Sequence, residues 1–325
     1  MINAAIVGLG WWGKALVNAV QGKSGSLRFV HGVSKEPEQL REFALEHDFV
    51  LSTALETALA DPRVQAVVLA TPHSQHLSQI EAVAAAGKPV FCEKPLALTR
   101  ADALRAVMAC ANAGVPLGLG HNKRFWPSMH KLKQIVASGE LGEILHIEGH
   151  LSNENSGKLF APWRDAPGES PGGGMTGSGL HVLDAFINLA GPVRQVHARL
   201  VSRKPKPDPH DTVSVLLEFE NRITGTLSTV RATPYYWRVH VFGRNGSAES
   251  LGENDLLLRR SGAKPESVSL APVDSLRAEL EAFAGAITGG EAYPIPAQQM
   301  IDTIAAFEAI IKSMDADATV QVVAA

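Results

Sequence analysis

"IVGLGWWGKALVNAV", residues 6–20, is the stretch that decides the fold. It carries G-x-G-x-x-G as Gly8, Gly10 and Gly13. The apolar run "INAAIVG" before it reads as a buried strand, and the helical run after it stops at Gly22. That strand–turn–helix context gives an otherwise weak pattern its meaning. Gly8 permits the tight turn, Gly10 lets the backbone approach a pyrophosphate, and Gly13 lets the helix pack closely on the strand. The helix start adds free N–H groups and a partial positive charge. The turn therefore reads as a dinucleotide site, with Trp11 and Trp12 among its cofactor-binding residues.

Outward from this turn, residues 1–120 alternate short apolar runs with helical patterns. "LRFVHGVS", "VQAVVLATP", "KPVFCEKP" and "VPLGLGH" are strands, with helices between them. This rhythm specifies a doubly wound parallel Rossmann sheet. After about residue 121 the pattern changes to period-2 alternation in runs such as "EILHIEGHL", "DTVSVLLEFE" and "WRVHVFG". Such runs build an open-faced, mainly antiparallel sheet with one solvated side, here accompanied by helices. The expected organisation is a dinucleotide-binding domain over 1–120 and an α+β substrate-binding and oligomerisation domain over 121–325.

Composition narrows the function classes. A net charge of −3 gives no nucleic-acid footprint and no polybasic membrane patch. No apolar run is long enough to span a bilayer, so no membrane partner is expected. The two cysteines, Cys92 and Cys110, do not make a disulfide framework, and a reducing cytoplasm fits. No His, Cys or acidic cluster has convincing metal spacing; His73 and His76 lie one turn apart without a third ligand.

The second strand selects the dinucleotide. An acid at its end would bond the adenosine ribose hydroxyls. Ser34 and Lys35 stand there instead, with Arg41 farther along. A hydroxyl and a cation suit a 2′-phosphate, which favours NADP, with NAD possible because Glu36 lies one residue away.

The motifs "VGLGWWG", "VVLATPHSQH", "VFCEKPLALT", "GHNKRFWP", "SGELGEI" and "PWRDAPGESPGGGMTGSGLHVLDAF" together resemble the glucose–fructose oxidoreductase / inositol dehydrogenase (Gfo/Idh/MocA) family. The resemblance runs in family order through about the first 190 residues. It implies an NAD(P)-dependent oxidoreductase acting on sugars, polyols or related hydroxy or keto compounds, with the active site between the two domains. It further implies a homodimer or homotetramer.

Glu93-Lys94-Pro95 ends a parallel strand, where open α/β sheets place ligands. The resemblance makes Lys94 the catalytic and substrate-contacting lysine, Glu93 a cofactor-side residue and the Lys94–Pro95 peptide cis. A partly desolvated lysine beside an oxidised nicotinamide has a lowered pKa, suited to exchanging a proton with the substrate oxygen. Thr71, Pro72 and His76 match the family's loop at the nicotinamide ribose. His121 and Arg124 either face the substrate or anchor the second domain. Trp163 and Arg164 offer an indole wall and a guanidinium for a hydroxylated or anionic substrate. His181 is the second catalytic residue, with Ser178 capping its helix and Asp184 structural or orienting.

One departure stands out. Relatives carry Asp-x-Gly-x-His, and aligned on Gly179 and His181 this chain has Gly177 where the acid belongs. Three explanations follow. Another group (Ser178, Asp165, Glu169 or a substrate carboxylate) substitutes, the substrate lacks the hydroxyl the Asp would hold, or the protein binds cofactor without ordinary turnover. The alternatives to a dehydrogenase are therefore a non-catalytic cofactor-binding sensor and an NAD-using hydrolase or lyase of the same family.

Overall fold

A computed structural model of the chain describes residues 1–154, 163, 166, 168–205 and 208–323. The chain divides into two compact units, Met1–Asn122 with Asp274–Met300, and Lys123–Val273 with Ile301–Ala325.

The first unit is built on strands β1 (Ile2–Val7), β2 (Leu27–Val33), β3 (Val50–Ser52), β4 (Ala66–Leu69), β5 (Val90–Glu93) and β6 (Leu117–Gly120). They pair in parallel in the order β3-β2-β1-β4-β5-β6. Between them run α1 (Trp11–Val20), α2 (Arg41–Glu46), α3 (Leu55–Ala60), α4 (His76–Ala85) and α5 (Arg100–Ala113). β4 is buried at every residue, as a strand covered on both faces must be. The strand order reverses between β1 and β4, and that switch point is where a doubly wound sheet binds its ligand. α5 shows the local logic of the helices. Thr99 caps it by accepting from the Asp102 N–H, and Gly114 ends it in the left-handed region.

The second unit opens with α6 (Pro127–Ala137) and continues through β7 (Ile144–Ser152), α7 (Leu180–Ala190), β8 (Val193–Val201), β9 (Thr212–Phe219), β10 (Thr224–Val230), β11 (Tyr236–Gly243), β12 (Gly246–Ser250), β13 (Asp255–Arg260) and β14 (Glu266–Ser269). After α8 (Ser275–Ile287) and α9 (Ala297–Ala316), β15 (Val320–Gln321) closes a nine-stranded sheet, ordered β14-β13-β12-β11-β7-β10-β9-β8-β15. All its pairs are antiparallel except β7 with β10. Ile147, Leu151, Val213, Val215, Leu217, Val239 and Val241 are buried at alternate positions, giving the period-2 signature its physical cause. α7 lies directly on β7: a methyl group at Gly149 would stand 2.8 Å from the Phe186 ring. The sheet thus fixes the helix that carries His181.

The boundary expected from sequence assigned all of 121–325 to one domain, and the structure divides the chain differently. α8 belongs to the first unit, where Leu280, Phe283 and Ala284 are buried. The Phe283 ring lies 5.7 Å from that of Phe91. So large a separation along the chain leaves no local signal for this return.

Candidate active site

In the first unit the candidate region is the turn after β1. Gly8 has φ +93°, and a Cβ there would overlap the Ala70 carbonyl of the loop after β4. A Cβ at Gly13 would overlap the Gly8 carbonyl. The turn is therefore drawn tight from both sides, with Gly8 N–H donating to Val33 O at 3.0 Å. Gly10 is the contrast: nothing lies within 4 Å of its Cβ position. A backbone stretch at a helix N-terminus, open on one side, fits a bound pyrophosphate.

Around this turn the expected cofactor residues separate into exposed and buried sets. Trp11 is 65% exposed, and Trp12 is half-buried with its indole nitrogen covered. Thr71 donates its hydroxyl to Gln79 Oε1 at 2.6 Å. His76 was expected to line the nicotinamide ribose, but its ring is fully buried. Nδ1 lies 2.7 Å from Pro95 O and Nε2 3.0 Å from Thr71 O. It braces the loops after β4 and β5 against each other. The Glu93 carboxyl is turned inward, and a Cβ on Gly120 would meet it at 2.6–2.8 Å. Burial pushes that carboxyl up to about 7, against the Trp12 indole and the Lys94 charge, which favour ionisation.

Lys94 follows at the carboxyl end of β5, half-buried, and its peptide with Pro95 is cis as the motif implied. Its N–H donates to Glu93 Oε2 at 3.2 Å. At the end of β2, Ser34 accepts the Glu36 N–H at 3.2 Å, and Lys35 is exposed. Arg41 pairs with Glu38 at 2.6 Å on the surface.

The second unit carries its own candidate region, the glycine-rich entry to α7. Met175–Gly179 form a π-helical turn that runs directly into α7, and Gly179, not Ser178, precedes the α-helical residues. No side chain caps this junction, which corrects the expected Ser178 cap. His181 is half-buried and sits beyond the first turn of the continuous helix, so the N-terminal dipole acts on it less than expected. The group that holds the helix start is Asp211, the first residue of the run "DTVSVLLEFE", which the sequence marks only as a strand. Both oxygens of Asp211 accept the Gly174 N–H at 3.1 Å, and Arg231 Nε donates to Asp211 Oδ1 at 2.9 Å. Asp211 and Arg231 are both buried, and Arg231 also donates to Asp208 O. A Cβ on Gly174 would stand 2.8 Å from Asp211 Oδ1, and one on Gly173, at φ +52°, would overlap Oδ2.

Arg124, expected among the substrate-binding residues, is an anchor. It is buried in a two-pronged pair with Asp184, Nε to Oδ2 and Nη2 to Oδ1 each at 2.7 Å. Beside it, Lys123 Nζ lies 3.8 Å from the centre of the Trp126 ring, and that ring packs edge-on to Trp237 at 5.1 Å. The "KRFW" segment, residues 123–126, is thus fastened inside the second unit. Trp163 is half-buried; Arg164 and Asp165 lie outside the described residues. Ser178 and Glu169 are buried, and among the described residues nothing beyond its own helix backbone lies within 4 Å of the Gly177 Cβ position. Among the described residues no group of three or more His, Cys, Asp or Glu is placed to hold a metal, and no helix is long and apolar enough to cross a membrane.

Comparison with known proteins speaks to the family and the fold. Residues 2–121 match the model of an oxidoreductase family with an NAD-binding Rossmann fold, and residues 129–249 match the GFO/IDH/MocA C-terminal domain. Inositol 2-dehydrogenase 2 of Saccharopolyspora erythraea is 30% identical over 81% of this chain and 78% of its own length. The 2,7-anhydro-N-acetylneuraminate hydratase of Escherichia coli is 26% identical over 77% of this chain and 67% of its own length. A provisionally named NADPH-dependent oxidoreductase from Desulfitobacterium hafniense superposes with a TM-score of 0.90 at 26% identity, covering 99% of this chain and 97% of that one.

Proposed function

The chain belongs to the Gfo/Idh/MocA oxidoreductase family, and from that premise we propose that it is a dehydrogenase or reductase of a sugar, polyol or related hydroxy or keto compound. The observation that carries the reading is Lys94. It stands half-buried at the carboxyl end of β5, on the sheet edge that also presents the open Gly10 turn. A bound nicotinamide dinucleotide supplies the hydride acceptor or donor. Lys94 Nζ takes the hydroxyl proton during oxidation or returns it during reduction, and His181 relays that proton. Trp163 and Arg164 hold the substrate. The open backbone at Gly10 receives the pyrophosphate, and Ser34 with Lys35 receives a 2′-phosphate, so NADP is the preferred cofactor. The reading includes a homodimer or homotetramer, which analytical ultracentrifugation resolves.

One further reading has its own support. A hydratase is among the relatives, and Gly177 replaces the acid that the dehydrogenase pattern carries, which fits a hydrolase or lyase that uses its dinucleotide transiently. The test is a panel of sugars, polyols and cyclic hydroxy acids run with NAD⁺ and NADP⁺ separately, following reduced nicotinamide by absorbance. Net reduction, faster with NADP⁺, supports the dehydrogenase. Consumption of substrate with no net reduction and a co-purifying dinucleotide supports the lyase.

A further inference from the structure

β5, β6 and α8 form a layered contact inside the first unit. In one layer the Phe91 and Phe283 rings meet at 5.7 Å over Gly118, where a Cβ would stand 2.8 Å from Phe91 and 3.0 Å from Phe283. Two residues along β5 from Phe91 is Glu93, and one turn back along α8 from Phe283 is Glu279. The two steps are similar, about 6–7 Å. α8 runs antiparallel to these strands: its first residue, Ser275, accepts from Asn122 just beyond the end of β6 at 3.1 Å. Glu279 therefore arrives in the next layer, beside Glu93, and Gly120 repeats the role of Gly118 by leaving room for the Glu93 carboxyl.

Both side chains are sealed from water, Glu279 at 0% exposure and Glu93 at 6%. Among the described residues neither oxygen of Glu279 has a donor, nor has Glu93 Oε1, and the buried Trp12 indole N–H lies close enough to the Glu93 carboxyl to favour its ionised form. Two ionised carboxylates cannot satisfy one another, because neither has a proton to give. One proton on the pair supplies the missing donor. Burial first, and then the neighbouring Glu93, hold the Glu279 carboxyl well above its ordinary value.

We propose that Glu279 is a positioning residue for Lys94: held as the neutral acid, it donates to Glu93, and Glu93 in turn fixes the Lys94 backbone N–H. Glu93 then accepts from Glu279, from Lys94 N–H and, with a small shift, from Trp12. Besides Lys94, whose charge favours ionised Glu93, the titratable groups on the elements packed around the pair are engaged elsewhere. Of the elements packed against α8, α1 turns its Lys14 to the Phe43 ring at 5.3 Å, and β2 commits His31 to Asp61 at 3.0 Å and Ser52 at 2.9 Å. The buried Cys92 thiol beside Glu93 is raised, by burial first and then by that carboxylate, and Cys110 is raised by burial, so both are neutral thiols.

The pair has a definite linkage sign. The folded state keeps a proton that the unfolded Glu279 releases above about pH 4.3. Stability is therefore fully present below that pH and is lost as pH rises. Urea unfolding of the full chain from pH 5 to 8 should show the wild-type folding constant falling at least tenfold more than that of Glu279→Gln, which carries a donor and no titration. The infrared difference between wild type and Glu279→Gln at pH 7 should contain a protonated-carboxyl carbonyl band. Glu279→Leu should fold at least tenfold less favourably than Glu279→Gln at pH 7, because it leaves Glu93 short of a donor. Equal pH slopes, no carboxyl band, or Glu279→Gln as damaged as Glu279→Leu would each overturn the proposal. The positioning role rests on Lys94 as acid/base. In whichever substrate the panel identifies, Glu279→Leu should lower turnover at least tenfold and Glu279→Gln should restore it to within threefold. Undiminished turnover in Lys94→Met removes the catalytic reading and leaves the folding and infrared results to judge the acid pair by themselves.

Discussion

The chain has two glycine-rich turns that enter helices, and they use glycine for opposite purposes. In the turn at Gly8–Gly13 the outer glycines press against the chain's own backbone while Gly10 faces open space. In the turn at Gly172–Gly179 the glycines at 173 and 174 are moulded around the buried Asp211 carboxylate, which occupies the helix start from within the protein. A helix N-terminus that offers its N–H groups outward can bind an anion; one whose N–H is already taken by an aspartate is a structural joint. The first turn therefore has the form of an anion site, and the second has the form of a support for the helix that carries His181.

The largest effect that tests this contrast is at the joint. Asp211→Ala leaves Arg231 buried without its carboxylate and should cost about 3–5 kcal/mol of stability, read by urea denaturation. A loss below about 1 kcal/mol would show that the second turn does not depend on an internal anion. Next is Gly10→Val, which places methyl groups in the open side of the first turn. It should weaken NADPH binding by about 10–100-fold by calorimetry, or about 1.4–2.7 kcal/mol, with thermal stability nearly unchanged. Unchanged affinity would deny the pyrophosphate its place there. Lys35→Glu should shift the NADPH-to-NADH affinity ratio toward NADH by about tenfold, the scale of one lost charge-assisted contact. The smallest effect is at Gly177, helical and unobstructed: Gly177→Ala should stabilise the fold by about 0.5–1 kcal/mol. A destabilised variant would mean that the space beside Gly177 is already claimed.

The difference between the turns also explains what the sequence could reveal. Gly8, Gly10 and Gly13 form a local pattern whose neighbours, a strand and a helix, are adjacent in the chain, so the first turn and its fold were legible at once. The second turn depends on Asp211 and Arg231, more than thirty residues away, and "SRKPKPDPHD" looks like any polar loop. The one available hint was the paired acids Asp208 and Asp211 leading into a strand. Arg124 and Asp184, sixty residues apart, carry no local sign of their pairing, so the sequence left open whether the arginine faces the substrate or anchors the second domain. Short elements escaped too: β3 is three residues at a sheet edge. β12, "GSAES", has no β-branched residue, and its pairing with β11 and β13 makes it a strand. Long-range pairing, unlike periodicity, leaves no mark on a single segment.

The central claim is that Lys94, at the edge of the first sheet, moves the substrate proton while the open glycine turn binds the cofactor. Lys94→Met in the full-length protein tests it most directly, with turnover and dinucleotide affinity measured on the same preparation. The account predicts a loss of turnover of about a thousandfold, within the range for a removed general acid–base, while the NADPH dissociation constant stays within about threefold. Wild-type turnover in that variant would contradict it.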